Sequence, residues 1–239
     1  MKRLFASISG LTLMAAFSAN AADIGLPIKA QLQPVAAYSW TGCYIGVHGG
    51  AGAMQTSSTD QWGGGGLGGG QVGCNYQFER IVLGVEGEGW WSGLKSTFDE
   101  AFPTFPTPGN AFTDETAKNL WDLDVSLRAG FAWDRALLYG KAGVAWGRFN
   151  MTLNSSGPGF VSSETGAATL YGLLLAIGGE YAFSPDWSAK LEYDFVDYFA
   201  RVIPFTVVES TVPSSFMLSL SESATKQIVK VGLNYKFTP

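Results

Sequence analysis

His48 is the only histidine in this 239-residue chain, so any Ser-His-Asp catalysis, or any haem ligation through histidine, would have to use it. Its neighbours of the same parity are Gly46, Gly50 and Gly52, and no companion ligand for a metal stands nearby in sequence. Gly63-x-Gly65-x-x-Gly68 spells a dinucleotide-binding loop, but Gly63 to Gly70 is almost all glycine. No amphipathic helix with a later ribose-binding acid follows it, so a flexible loop running into a glycine-rich strand is the better reading. Cys43 and Cys74 are the only cysteines, available either for a disulfide or as two small apolar thiols. The remaining chemistry lies in charges spaced by multiples of two within apolar stretches: Glu86 and Glu88; Asp122, Asp124 and Arg128; Lys190, Glu192 and Asp194. Such charges could serve acid/base catalysis, ion conduction or a structural network, and the elements that carry them decide which.

Val229 to Phe237 reads Val-Lys-Val-Gly-Leu-Asn-Tyr-Lys-Phe, with Val229, Val231, Leu233, Tyr235 and Phe237 on one face. A period of two is a β-strand with one apolar and one polar side. The same alternation divides the chain into eight strands: Thr41–Ala53, Gly66–Phe78, Ile81–Gly93, Leu120–Trp133, Ala136–Phe149, Gly166–Phe183, Ser188–Phe199 and Thr225–Phe237. Tight turns at Glu79-Arg80, Asp134-Arg135 and Ser184 to Trp187 alternate with long connections, among them Leu94 to Asn119 and Ala200 to Ala224. Membrane barrels have this asymmetry, with short turns at one end and long loops at the other.

The apolar face carries Ile81, Leu83, Val85, Leu123, Val125, Leu127, Leu138, Val144, Leu173, Leu175, Ile177, Leu191 and Phe195, and no charge falls within this set. The opposite face carries Glu86, Glu88, Asp122, Asp124, Arg128, Lys141, Glu180, Lys190, Glu192, Asp194, Lys230 and Lys236. A Lys or Arg facing lipid at the bilayer midplane costs about 2–4 kcal/mol, so one-sided placement of all twelve is a sorting rule. A soluble barrel would reverse it. The interior of an eight-stranded barrel is just wide enough for side chains to fill, so these charges are expected to pair as a lumen network. Leu174 also points inward, so the lumen is not wholly polar. Aromatics gather at both ends of the outward face: Phe78, Trp133, Phe183 and Phe237 near the short turns, and Trp91, Trp121, Trp146 and Tyr171 near the long connections. Cys43 and Cys74 fall outward on the first two strands, where adjacent positions can reach bridging distance.

Lys2 and Arg3, the apolar Leu4 to Phe17 and the small-x-small Ala19-Asn20-Ala21 form an export signal over residues 1–21. Residues 22–39, with Pro27 and Pro34, read as an extended segment, and 40–239 as the barrel. After cleavage, thirteen Lys and Arg would face twenty Asp and Glu. That acidic balance argues against nucleic acid as a partner. No later segment is apolar enough for a transmembrane helix, and a spanning chain without such helices must be a closed barrel.

Trp40 to Gly46, Gly69 to Tyr76, Gly84-Val85-Glu86-Gly87-Glu88, Gly178 to Tyr193 and the terminal strand resemble the small outer-membrane proteins of alphaproteobacteria, often described as porin-family or outer-membrane β-barrel proteins. The resemblance covers Trp40 to Phe237 and implies an all-β, eight-stranded antiparallel up-and-down transmembrane barrel in the outer membrane. It implies surface exposure and a role in envelope integrity, and brings no catalytic constellation and no cofactor. Some members are linked to haemin binding, which keeps a surface haemin or ligand-binding role at His48 as an alternative, beside a narrow channel for small solutes. Outer-membrane lipids, lipopolysaccharide and the barrel-assembly machinery are the expected partners, and oligomeric state is open. Tyr235 and Phe237 form the expected assembly signal, read from an internal position because Thr238 and Pro239 follow.

Overall fold

The computed structural model describes residues 38–57, 61–103, 110–209 and 216–237; the expected export signal and most of the extended segment lie outside them. The strands are β1 Gly42–Thr56, β2 Gly63–Phe78, β3 Ile81–Ser92, β4 Lys95–Pro103, β5 Asn110–Trp133, β6 Ala136–Gly157, β7 Phe160–Ala182, β8 Trp187–Glu209 and β9 Phe216–Phe237. Every pairing is antiparallel. β1 pairs with β9 and β3 with β5, so the sheet closes on itself. Each of β1–β3 and β5–β9 then has a ladder partner on both sides within the ring, while β4 is paired on one side, with β5.

Nine strands occupy eight places in the ring. β3 pairs with Trp121–Phe131 of β5 and β4 with Asn110–Lys118 of the same strand. They form one wall strand interrupted at Gly93-Leu94, beside a β5 bulge at Leu120. The β7–β8 ladder slips between Gly166 and Gly172, and the β8–β9 ladder between Tyr198 and Arg201. These irregularities fall just beyond Trp91, Trp121 and Tyr171, where the apolar band ends. A bulge shifts the inside/outside phase of its strand. The buried positions of β5 accordingly switch from Asp122, Asp124 and Ser126 to Ala117 and Asn119, and those of β8 from Val196 and Tyr198 to Ile203 and Phe205.

The long connections read from sequence are in large part strand. β5 to β9 run 22–24 residues, against the roughly 9–11 that cross a bilayer, so ladders continue past the apolar band as hairpins. Leu94 to Asn119 contains β4 and the first part of β5, and Ala200 to Ala224 the ends of β8 and β9. The β6–β7 connection is only Pro158-Gly159, with Gly159 at φ +89°, the Pro-Gly arrangement of a type II turn. Gly63 to Phe78 is strand throughout, which removes the phosphate-loop reading of its glycines.

The outward face is apolar over most of the band; its charged exception among the described residues is Asp197 of β8, exposed opposite Leu173 and accepting a hydrogen bond from the Thr225 hydroxyl at 3.1 Å. Leu127 is 69% exposed and Trp91 77% exposed, in a surface that continues through Val47, Leu83, Val125, Leu175, Leu191 and Val231. An exposed apolar surface of this extent marks contact with lipid rather than water.

Candidate functional site

The interior is filled in three layers. At the short-turn mouth, Trp40 enters from the segment before β1 and is buried against Val82, Ala132, Leu137, Tyr139 and Ala182. Its backbone N–H donates to Gln77 Oε1 at 2.7 Å and its indole N–H to the Asp134 carbonyl at 3.1 Å. The Tyr38 ring packs edge-on to Trp40 at 5.0 Å, and the Tyr38 N–H donates to Asp134 Oδ1 at 3.2 Å. Burial pushes the Tyr38 phenol up to about 12, with Glu180 and Asp186 adding to the shift. Lys236 completes the mouth: its ammonium donates to the Ser39 carbonyl at 2.5 Å and lies 4.2 Å from the centre of the Tyr38 ring.

The middle layer is ionic. Lys141 Nζ stands 2.7 Å from Glu86, 3.0 Å from Glu88 and 2.9 Å from Glu192. Lys190 reaches Glu88 at 2.6 Å, and Lys230 bonds Glu88, Asp194 at 2.6 Å and Glu192 at 3.1 Å. Arg128 bonds Glu180, donates to the Tyr44 hydroxyl at 3.1 Å and lies 3.6 Å over the Tyr139 ring. Neutral groups tie the charges together: Tyr44 donates to Glu86, Tyr139 to Glu192 at 2.7 Å, and Ser188 and Asn234 to Glu180 at 2.5 and 2.8 Å. Glycine makes room for them. A Cβ at Gly73 would lie 2.5 Å from the Tyr44 hydroxyl.

Above the ions lies an apolar layer of Met54, Leu94, Phe149, Met151, Leu170, Leu174, Val196, Ile203 and Phe205. Lys226 marks the boundary. It bonds Asp122 at 2.5 Å and sits 4.7 and 4.8 Å over the Phe149 and Tyr198 rings, while Tyr198 donates to Asp122 at 2.5 Å.

Of the twelve charges sorted inward by sequence, eleven are buried in the lumen. Asp124 is one of these, opposite Glu88 in the ladder, yet it makes no ion pair among the described residues. Lys236 has the same parity but stands apart, because it lies past Asn234 at the mouth, where its ammonium meets Ser39 instead of a carboxylate. The sequence reading also passed over Lys226, whose parity within the last strand matches that of Lys230. It missed the neutral partners Tyr44, Gln71, Tyr139, Ser188, Tyr198 and Asn234 as well, whose uncharged side chains carry no sorting signal of their own.

His48 is buried, and its Nδ1 lies 2.6 Å from Gln71 Oε1. Gln71 Nε2 donates to Asn234, so its oxygen is the atom left to face the ring, which makes Nδ1 the protonated nitrogen. Glu86, Glu88 and Glu192 bring carboxylate oxygens within 4.8 Å of one another, close enough for a cation. Lys141 already contacts all three, so an ammonium with three N–H donors takes that position. Cys43 and Cys74 are directly opposed on the outward faces of β1 and β2 and joined by a 2.08 Å S–S bond. Tyr235 and Phe237 lie outward at the short-turn rim, with rings 5.5 Å apart, and Tyr235 packs on Trp187 at 5.2 Å.

Residues 9–237 match the family model described as outer membrane protein beta-barrel domain. The chain is 32% identical over 250 residues to the 31 kDa outer-membrane immunogenic protein of Brucella melitensis, covering 96% of this chain and 98% of that one. It is 24% identical over 229 residues to the 25 kDa outer-membrane immunogenic protein of Brucella canis, covering 93% and 91%. Among solved structures it is similar to a major outer membrane protein from Thermus thermophilus, with TM-score 0.47 and 13% identity over 82% of this chain and 99% of that one. Neisserial surface protein A gives TM-score 0.42 and 12% identity over 82% and 98%. A closed wall with a charged interior agrees with the family model and the Brucella relatives: the chain belongs to the outer-membrane protein β-barrel family, with relatives among the small outer-membrane proteins of alphaproteobacteria, and resides in the bacterial outer membrane.

Proposed function

We propose that this protein is a closed structural barrel that spans the outer membrane, braces it from within by a buried ion network, and holds rigid hairpins above the surface. The observation that carries this reading is the filling of the lumen by three consecutive layers: Trp40 at the periplasmic mouth, the Lys141–Glu86–Glu88–Glu192 cluster, and the Phe149–Leu170–Phe205 plug. A conduction path needs continuous water, and each layer interrupts it. Catalysis needs a nucleophile, a base and oxyanion donors converging at an accessible rim. His48, the one histidine, is instead held in the wall by Gln71. In this reading residues 1–21 direct export and are removed, and the barrel-assembly machinery recognises Tyr235 and Phe237. Proteoliposomes carrying the protein should take up arabinose no faster than empty ones; uptake at the rate of a porin-containing control would replace this reading with a channel.

A further inference from the structure

The β4–β5 hairpin above the membrane sorts its charges by height. Beyond the upper aromatics the chain has four basic residues, Lys95 on β4, Lys118 on β5, Arg148 on β6 and Arg201 on β8. All four stand in the first turns of ladder past the apolar band. Arg148 is directly opposite the belt residue Trp121, and Arg201 donates to the Thr169 carbonyl at 2.7 Å, two residues from the belt residue Tyr171. The acids Asp99 and Asp114 lie higher, four residues past Lys95 and Lys118, or about 13 Å along the strands.

The register makes this sorting costly. Lys95 is directly opposite Lys118, and Asp99 directly opposite Asp114. Like charges facing each other across a ladder destabilise it, whereas exchanging one Lys with one Asp would give two favourable pairs. Lys95 and Lys118 are exposed, and no carboxylate of the described residues forms an ion pair with Lys95, Lys118 or Arg148, whereas Arg201 has Glu222 directly opposite it in the β8–β9 ladder. The basic row of Lys95, Lys118 and Arg148 thus carries no counter-charge from the described residues, and it stands at the height where the aromatic belt places lipid headgroups.

We propose that Lys95, Lys118 and Arg148 form a docking site for the phosphate groups of outer-leaflet lipids, which hold the barrel in register with the membrane surface. The anion is lipid-borne, because the row borders the lipid-facing band, with Arg148 directly opposite the belt residue Trp121. Purified protein is mixed in non-ionic detergent with bisphosphorylated lipid A, with the same lipid stripped of its phosphates, or with inorganic phosphate, and retained ligand is counted by native mass spectrometry. The phosphorylated lipid should be retained about tenfold or more over the stripped one, as expected for basic residues worth roughly 1 kcal/mol each beside an anionic surface. Inorganic phosphate should not be retained. Lys95→Gln/Lys118→Gln/Arg148→Gln should abolish the preference, whereas Arg80→Gln/Arg135→Gln in the periplasmic turns should keep it. A second variant separates docking from loss of fold. Lys118→Glu converts a repulsive pair into an attractive one, so it should raise the unfolding temperature in non-ionic detergent and lower it once phosphorylated lipid A is added. Equal retention of both lipids by the wild type, an undiminished preference in the triple variant, or a Lys118→Glu effect of one sign in both media overturns the proposal.

Discussion

Replacing Lys141 by Met puts the ion layer to its sharpest test. The ammonium contacts three carboxylates at 2.7–3.0 Å, and each of these groups is buried. At an effective dielectric of 20, a unit pair 2.9 Å apart attracts by about 6 kcal/mol, and most of this is cancelled by the desolvation both partners have already undergone. What remains when one member is deleted is the penalty of leaving buried charge uncompensated, about 3–5 kcal/mol. Lys190 and Lys230 still reach Glu88 and Glu192, but Glu86 keeps the Tyr44 hydroxyl and, among cations of the described residues, only Lys190 at 3.6 Å and Arg128 at 3.8 Å. Glu86 therefore bears most of the loss. Lys141→Met should lower the unfolding free energy by about 4 kcal/mol, a shift of about 2 M in urea midpoint at an m-value near 2 kcal/mol/M. Adding Glu86→Gln should restore roughly half of this, because the stranded charge is removed. The assay is reversible urea unfolding in detergent micelles, followed by tryptophan fluorescence. A single variant within about 1 kcal/mol of wild type, or no recovery in the double variant, would refute the ion layer as a stabilising element.

Other outcomes follow from the rim and the first hairpin. The Tyr38 phenol favours its neutral form in the folded state up to about 12, above the unfolded value of about 10. Stability should accordingly hold below pH 10 and fall between pH 10 and 12, and Tyr38→Phe should remove that decline when unfolding is measured across the range. The Cys43–Cys74 bridge closes a 31-residue separation and should contribute up to about 4 kcal/mol; reduction of the wild type should lower the urea midpoint, while a Cys43→Ser/Cys74→Ser variant should not respond to reductant. Phe237→Ala should reduce the membrane-inserted fraction in cells several-fold without changing unfolding in vitro, and normal membrane levels would remove Phe237 from any role in recognition.

Much of the wall was legible from alternation alone, because an inward charge and an outward leucine two residues apart leave one orientation for each strand. Glu86, Glu88, Asp122 and Lys230 were placed this way, and all are buried. The hairpins above the belt were not legible, since the bulge at Leu120 and the slips near Gly166 and Tyr198 shift the phase where a periodic reading stops. Above that height apolar residues fall on both faces of β8, with Ile203 and Phe205 inward and Val202 and Val208 outward, so the contrast between faces is lost. Pro158-Gly159 was a local signal for a tight turn that the broad pattern obscured. The pairings within the lumen could not be read either: which lysine meets which glutamate depends on the stagger of opposite walls. The seal at Trp40 depends on a segment outside the ladder.

A closed interior is tested most directly by single-channel recording of the purified protein in planar bilayers at high salt. With Trp40, the Lys141 cluster and the Phe149 plug in series, the traces should stay at baseline, and Trp40→Ala alone should leave them silent because two layers remain. Steady, reproducible conductance steps from the wild type would contradict the sealed barrel and establish a pore.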